Sequence, residues 1–494
     1  VMSRKPLFSG KFEALSSVSR TMGAIRCQLP VSAASGKECQ VPARPSRFPR
    51  IFGTPQPGRT TPLSRTARTT VVLLFGAWFI DYADRLVINF VLPEIGDEFG
   101  LTRGQQGLLI SAFFIAYAVC QIPGGMLADR IGGRRVALWA LLVWTLFTAL
   151  TGLAWSFAAL LVLRVLFGLA QGVFPPAATK ILVERSRPEE RMRANGLILS
   201  SNAVAAVLTP LLVAPLVAFH GWRSAYISVA ALGVFVYTAI RLRLPEPLSE
   251  GGETPVPAHG KDTRSLLRWG VLWRFAAMMF GYSLIIWGLS SWVPTYLKDE
   301  RGVDLGAAGA LMAIPGLAAA VATVLGGRIA DRAGGRHRRV VLPAMAVAAA
   351  MLPVMAYTAS VPWFIALSTV AVFAAALCYM PIMAVPIRSL SAQHIGVASG
   401  VMVFGGQLAG VTAPTVMGLL ADAFSFQVAF AFLATGAVIA AVAACLTPQD
   451  TRSFLAGADA RIRAAAPATD TGVTTKMPFA KATGDATPTD KEPS

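Results

Sequence analysis

Apolar stretches long enough to cross a bilayer recur along most of the chain, separated by short polar breaks. A helix needs about 20 apolar residues to span a hydrocarbon core of roughly 30 Å. Residues 71–80 (VVLLFGAWFI), 136–150 (VALWALLVWTLFTAL) and 429–446 (AFAFLATGAVIAAVAACL) are parts of such stretches. The pattern predicts spans near 71–93, 105–128, 135–155, 157–180, 192–218, 222–242, 271–297, 306–330, 339–358, 361–387, 396–420 and 425–446. A transmembrane β-barrel does not fit, because its strands alternate apolar and polar positions in pieces of about 10 residues. The expected fold class is an all-α membrane protein of about twelve spans. Residues 243–270 form a polar linker that divides the spans six and six. The expected organisation is a tail over 1–68, a six-helix bundle over 69–242, the linker, a second bundle over 271–446 and a tail over 447–494. Both tails lack a sustained apolar period and read as disordered.

Composition agrees. Hydrophobic residues make up 54 % of the 494 and charged ones only 14 %, where a soluble domain carries about a quarter charged. The formal net charge of +18 raises nucleic acid as a partner. The excess is split between the N-terminal tail and short loops, so the partner it indicates is a lipid bilayer and no nucleic acid. One side carries Arg130, Arg134 and Arg135, then Arg185 to Arg193, the linker, and Arg332 to Arg339. The other side carries Glu94, Asp97, Glu98, a mixed loop at Lys298–Asp304, and Asp422. Lys and Arg accumulate in cytoplasmic loops, so both termini and the linker are expected in the cytoplasm and the chain in the inner (plasma) membrane. The tail over 1–68 is Arg- and Ser-rich and acid-poor. Three readings of it stay open: a cytoplasmic extension, upstream sequence not translated natively, or a transit peptide, which would place the chain in an organelle. The five cysteines have no metal-ligand spacing and read as small apolar residues.

Two loops repeat. Residues 125–135 read GMLADRIGGRR and residues 327–339 read GRIADRAGGRHRR, each just after the second span of its half. This internal duplication marks a transporter built from two pseudo-symmetric halves. The paired motif resembles the cytoplasmic loop signature of the major facilitator superfamily, over residues 70–450. The resemblance implies alternating access, a monomer, no cofactor, and a cytoplasmic gate at Gly125, Asp129, Arg130, Gly327, Asp331 and Arg332. The glycines would allow close helix approach.

Charges inside the spans sharpen the picture, since each costs roughly 2.5–3.5 kcal/mol at a helix centre. The first span, FIDYADRLVINF, holds Asp81, Asp84 and Arg85, and the fourth, RVLFGLAQG, holds Arg164. Asp81 and Asp84 stand at i, i+3, and Asp81 and Arg85 at i, i+4, so each pair can share a helix face. One carboxylate can pair with the guanidinium while the second titrates. An anion arriving at Arg85 would compete with the internal carboxylate and favour its protonation.

DYADR, FFIAYAVCQIPGG and RVLFGLAQGVFPPA look like the anion:cation symporter branch of the superfamily. That resemblance implies a sugar acid or other organic anion bound by Arg85 and Tyr117, with Arg164 supporting the site and Asp84 coupling protons, driven by the proton gradient. Gln407 is a further contact by the same resemblance, and Ser201 and Asn202 are candidate cavity-wall groups. Tyr282, Trp287, Ser290, Ser291 and Tyr296 are others, and Pro294 marks a hinge in span seven. Gly396, Gly400, Gly405 and Gly406 read as close-packing positions. Two positions depart from the branch. Gln171 replaces a titratable Glu, and Asp81 stands where the branch has Asn, so Asp81 is a candidate for the displaced proton-coupling role. Enzyme chemistry finds no phosphate loop and no H-E-x-x-H motif. A drug or cation exporter would want an acidic pocket without central arginines.

Overall fold

The computed structural model describes residues 63–248, 265–332, 336–458 and 463. Residues 1–62, the linker core and most of the chain beyond 458 lie outside the described residues, and so do the expectations of disorder there. Among the described residues, regular structure is entirely helical.

The N-terminal half comprises α1 (Arg65–Phe99), α2 (Arg103–Ile131), α3 (Gly133–Thr151), α4 (Phe157–Gly172), α5 (Phe174–Glu184), α6 (Pro188–His220) and α7 (Trp222–Arg243). The C-terminal half comprises α8 (Gly270–Asp299), α9 (Leu305–Arg332), α10 (Arg338–Ala356), α11 (Val361–Leu377), α12 (Tyr379–Ser389), α13 (Ala392–Ala423) and α14 (Phe426–Leu446). A short α15 (Thr451–Ala456) follows. Taking α4–α5 and α11–α12 as one crossing each, 11 helices among the described residues are long and apolar enough to span a membrane. The 35-residue α1 is long enough but carries Asp81, Asp84 and Arg85 near its middle. With it the expected twelve crossings are present.

The fourth crossing of each half is broken at the same place. Val173 separates α4 from α5, and Cys378 separates α11 from α12. A Cβ on Gly124 of α2 would lie 2.7 Å from the Val173 backbone, and one on Gly326 of α9 would run into the Leu377 carbonyl oxygen. Close approach therefore falls one residue before the glycines expected to provide it. A Cβ on Gly125 or Gly327 would meet only ordinary contacts, at 3.7 Å and 3.8 Å.

α1 starts at Arg65, ahead of its apolar run, because Ser64 caps it and also binds α6. The Ser64 hydroxyl accepts from Ala67 N, and its own N–H donates to Glu190 at 2.6 Å. The C-terminal tail departs from expectation too. Phe454 of α15 is fully buried against Trp269 and Phe275, so structure continues beyond 447.

The halves meet through α2 with α13, α6 with α9, and α1 with α8. Their mutual hydrogen bonds cluster at the acidic end. Asp422 accepts from Arg103 N at 3.0 Å and Gly104 N at 2.7 Å. Lys298 pairs with Asp97, and Arg103 with Glu300, both at 3.2 Å. Ser111 donates to the Val411 carbonyl at 2.5 Å. Only glycine fits at Gly107, where a Cβ would strike the Pro414 carbonyl oxygen. At the Arg-rich end a Cβ on Gly396 or Gly400 of α13 would meet open space, which corrects their expected packing role. Gly405 and Gly406 do pack, against Ala276 and Ser283 of α8. Among the described residues, the contacts between the halves hold the acidic end together.

Candidate functional site

The middle of α1 places three ionisable side chains within one helical turn, and packing sorts them into two clusters. In the first, Arg85 Nη2 lies 2.5 Å from Asp81 Oδ2. Arg85 Nε donates to Gln171 Oε1 at 2.9 Å, and Gln171 Nε2 donates to the Asp81 carbonyl at 3.1 Å. The guanidinium carbon lies 4.2 Å from the Tyr117 ring centroid. Gly172 makes this assembly possible: a Cβ there would strike the Tyr117 carbonyl oxygen, so α2 and α4 touch backbone to backbone beside Gln171.

In the second cluster Asp84 Oδ2 lies 2.5 Å from the Thr148 hydroxyl on α3. That hydroxyl also lies 3.0 Å from the Trp144 carbonyl. It has one proton and cannot donate to both. Both bonds form together only when a protonated Asp84 donates to Thr148 and Thr148 donates to Trp144. Arg164 of α4 is buried, hydrogen-bonds the Tyr226 hydroxyl of α7 and stands near enough to Asp84 to interact with its charge. With both carboxyls ionised, Asp81, Asp84, Arg85 and Arg164 balance to zero net charge; with Asp84 protonated they carry one positive charge.

Among the described residues, Asp81 Oδ1, Asp84 Oδ1 and Arg164 Nε at this site have no hydrogen-bond partner, and neither do Asn202 Oδ1 and Gln407 Oε1 elsewhere. A buried polar group left unpaired costs about 1–3 kcal/mol, so this region is prepared for polar company.

The structure thus joins Arg85, Asp81 and Tyr117 at one point and Asp84 and Arg164 at a neighbouring one. Arg85 pairs with Asp81, not Asp84. Ser201 is a correction: it is fully buried, and its hydroxyl donates to Ile198 O of its own helix at 2.6 Å. Tyr296 is packed among Phe364, Phe426 and Phe430 and is a structural anchor. Trp287 lies against Tyr82 and Phe114. At the Arg-rich end Asp129 is largely exposed and pairs with Lys180 of its own half at 3.2 Å. Arg130 and Arg332 are exposed, and the Asp331 side chain lies outside the described residues. Among the described residues, no contact between the halves involves Asp129. Thr148 and Tyr226 were not expected. The only signal for Thr148 was a hydroxyl in an apolar span.

Two repeats of membrane-crossing helices around a buried charged site define a membrane transporter. The family model of the Major Facilitator Superfamily matches residues 74–414 and 302–478, and the chain belongs to that superfamily. It is 30 % identical to a protein named probable sulfoacetate transporter from Cupriavidus necator, over 73 % of this chain and 90 % of that one. It is 27 % identical to a D-galactonate transporter of Escherichia coli, over 78 % and 96 %. It is 25 % identical to a hexuronate transporter of Bacillus subtilis, over 77 % and 94 %. Its fold is similar to a bacterial homolog of the human lysosomal transporter Spinster, in an inward-facing and unoccupied conformation. The TM-score is 0.72 at 20 % identity, covering 80 % of this chain and 99 % of that chain.

Proposed function

We propose that the chain is a proton-coupled symporter that takes up a small organic anion by alternating access. The buried Arg85–Asp81 pair carries this reading. Its relatives are named for organic acid anions, sulfoacetate and D-galactonate among them, and Arg is the residue suited to a carboxylate or sulfonate. The empty site is neutral when both carboxyls are ionised. A monoanion entering it would leave a net buried negative charge, which is costly. One proton restores the balance. The anion takes Arg85, Asp81 is released, and protonation of Asp81 or Asp84 accompanies it. Gln171 cannot titrate; it holds Arg85 in place, and Asp81 takes the role of the missing carboxylate.

The Arg-rich end is assigned to the cytoplasm of a cell whose inner membrane holds the protein. Gly125, Asp129, Arg130, Gly327, Asp331 and Arg332 lie at that end and form its gate, closing it in one of the two alternating states. One chain contains both halves, so a monomer suffices, and the proton gradient replaces any cofactor.

The test is uptake of a panel of labelled organic acids into proteoliposomes under an imposed pH gradient. External acid should drive accumulation. Accumulation driven by internal acid, or faster counterflow of organic cations, would overturn the reading. Uptake indifferent to the gradient would make the protein a uniporter.

A further inference from the structure

A cavity of about 100 Å³ lies between the halves, lined by α1, α6, α8, α9 and α11. Its wall is mostly apolar, with Leu86, Ile286, Leu289 and Met312 prominent in it. Asn89 of α1 lines it, is only 2 % exposed, and its side-chain amide has no hydrogen-bond partner among the described residues. The charged site described above does not use this residue.

We infer that this cavity is the subsite for the uncharged body of the transported anion, and that Asn89 recognises a single hydrogen-bonding group on a largely apolar body. The inference rests on the anion site proposed at Arg85. Asn89 follows Arg85 at i, i+4, so the two project from neighbouring parts of one helix face, about 6 Å apart along the axis. A small acid holding its charge at Arg85 reaches Asn89 with the far end of its body.

The wall limits what that body can be. Four lining residues carry polar side-chain atoms: Tyr82, Asn89, Ser290 and Ser368. The Ser290 hydroxyl already donates to Trp287 O, and that of Ser368 to Ile365 O. Asn89 and Tyr82 are left as donors. A sugar acid bears a hydroxyl on nearly every carbon, and most of them would enter this cavity unpaired. Asn202 and Gln407, whose side-chain oxygens are unpaired, do not line it. An aryl or alkyl acid with one distal hydroxyl or carbonyl fits both the wall and the amide.

The experiment is calorimetric titration of the full-length protein in detergent with 4-hydroxyphenylacetate, phenylacetate and gluconate. The two aryl acids should bind at least about tenfold tighter than gluconate. Asn89→Leu should erase the preference for 4-hydroxyphenylacetate over phenylacetate, a loss of about 5- to 100-fold, while keeping phenylacetate binding. Asn89→Ala, which adds no bulk, should do the same. The ranking on the unmodified protein stands apart from either variant's folding. Gluconate binding tighter than both aryl acids, in an Arg85-dependent way, would overturn the subsite and leave the anion site standing. Binding of none of the three, or binding that survives Arg85→Ala, would overturn the anion site and this inference with it.

Discussion

Arg85 reaches back one helical turn to Asp81, at 2.5 Å, and leaves Asp84 to the hydroxyl of Thr148. The pair is buried and held from a second helix by Gln171. Removing one partner of such a pair strands the other, at about 3–5 kcal/mol. Arg85→Ala should therefore abolish anion binding, measured by titration with the best acid of the uptake panel. Asp81→Asn keeps the shape and a hydrogen-bonding group but cannot titrate. It should retain anion exchange in counterflow and lose accumulation driven by a pH gradient. Intact proton-driven accumulation in that variant would remove Asp81 from coupling.

Thr148 supplies the second test. Its one proton is contested between Asp84 and the Trp144 carbonyl. Both bonds are satisfied only with a protonated Asp84, so the hydroxyl distinguishes the two protonation states of the carboxyl. Thr148→Val keeps the volume and removes the hydroxyl. Proton-driven uptake should fall by about tenfold, the value of one hydrogen bond to a charged group, while binding at Arg85 stays within about twofold. Equal loss of binding and uptake would mean that Thr148 merely supports packing.

Much of this site was legible in the sequence, for identifiable reasons. Ionised residues in an apolar span are rare enough to point to function, which exposed Asp81, Asp84, Arg85 and Arg164. The i, i+4 spacing allowed the Asp81–Arg85 pair. The duplicated loop motif revealed the two halves. What escaped was rotation of helices about their axes. Spans apolar on all sides give no signal of which side faces a neighbour, so Ser201 was expected at a cavity and is buried on its own helix. Close approach was expected at Gly125 and Gly327 but occurs at Gly124 and Gly326, a one-residue offset that only a packed partner sets. Asn89 was passed over because a lone amide carries no spacing rule.

His337 gives a pH-dependent stability with a definite sign. It caps the start of α10, with Nε2 2.7 Å from the Thr447 hydroxyl and 2.9 Å from the Gln449 amide nitrogen. Burial, reinforced by the adjacent Arg338 charge, pushes its imidazole down from 6.5 to about 4. The unfolded chain then binds the extra proton between those values. Stability is full above pH 6.5 and falls as pH drops toward 4, by at most about 1.4 kcal/mol per unit. Melting of the purified protein should be lower at pH 5.5 than at pH 7.5. His337→Gln should flatten that difference, and an unchanged slope would assign it to other groups.

Asp422 closes the acidic end by capping the start of α2 from the opposite half. Its carboxylate accepts from Arg103 N and Gly104 N, two N–H groups that no turn of α2 can satisfy. The positive end of the helix dipole adds to the attraction. The contact exists only while the halves are together at this end, so under the proposed alternating access it biases the balance between the two open states without touching the site. Asp422→Ala should weaken this closure by about 1–2 kcal/mol, a 5- to 30-fold population shift toward the state open at the acidic end. Distances between spin labels placed at that end should lengthen accordingly, with anion affinity at Arg85 little changed. Gly107→Val should act more severely, because its side chain would occupy the space of the Pro414 carbonyl and hold the end open. Transport should stop in that variant while the protein still inserts and binds anion. Normal turnover by Gly107→Val, or unaltered label distances in Asp422→Ala, would show that closure at this end does not depend on the α2–α13 contact.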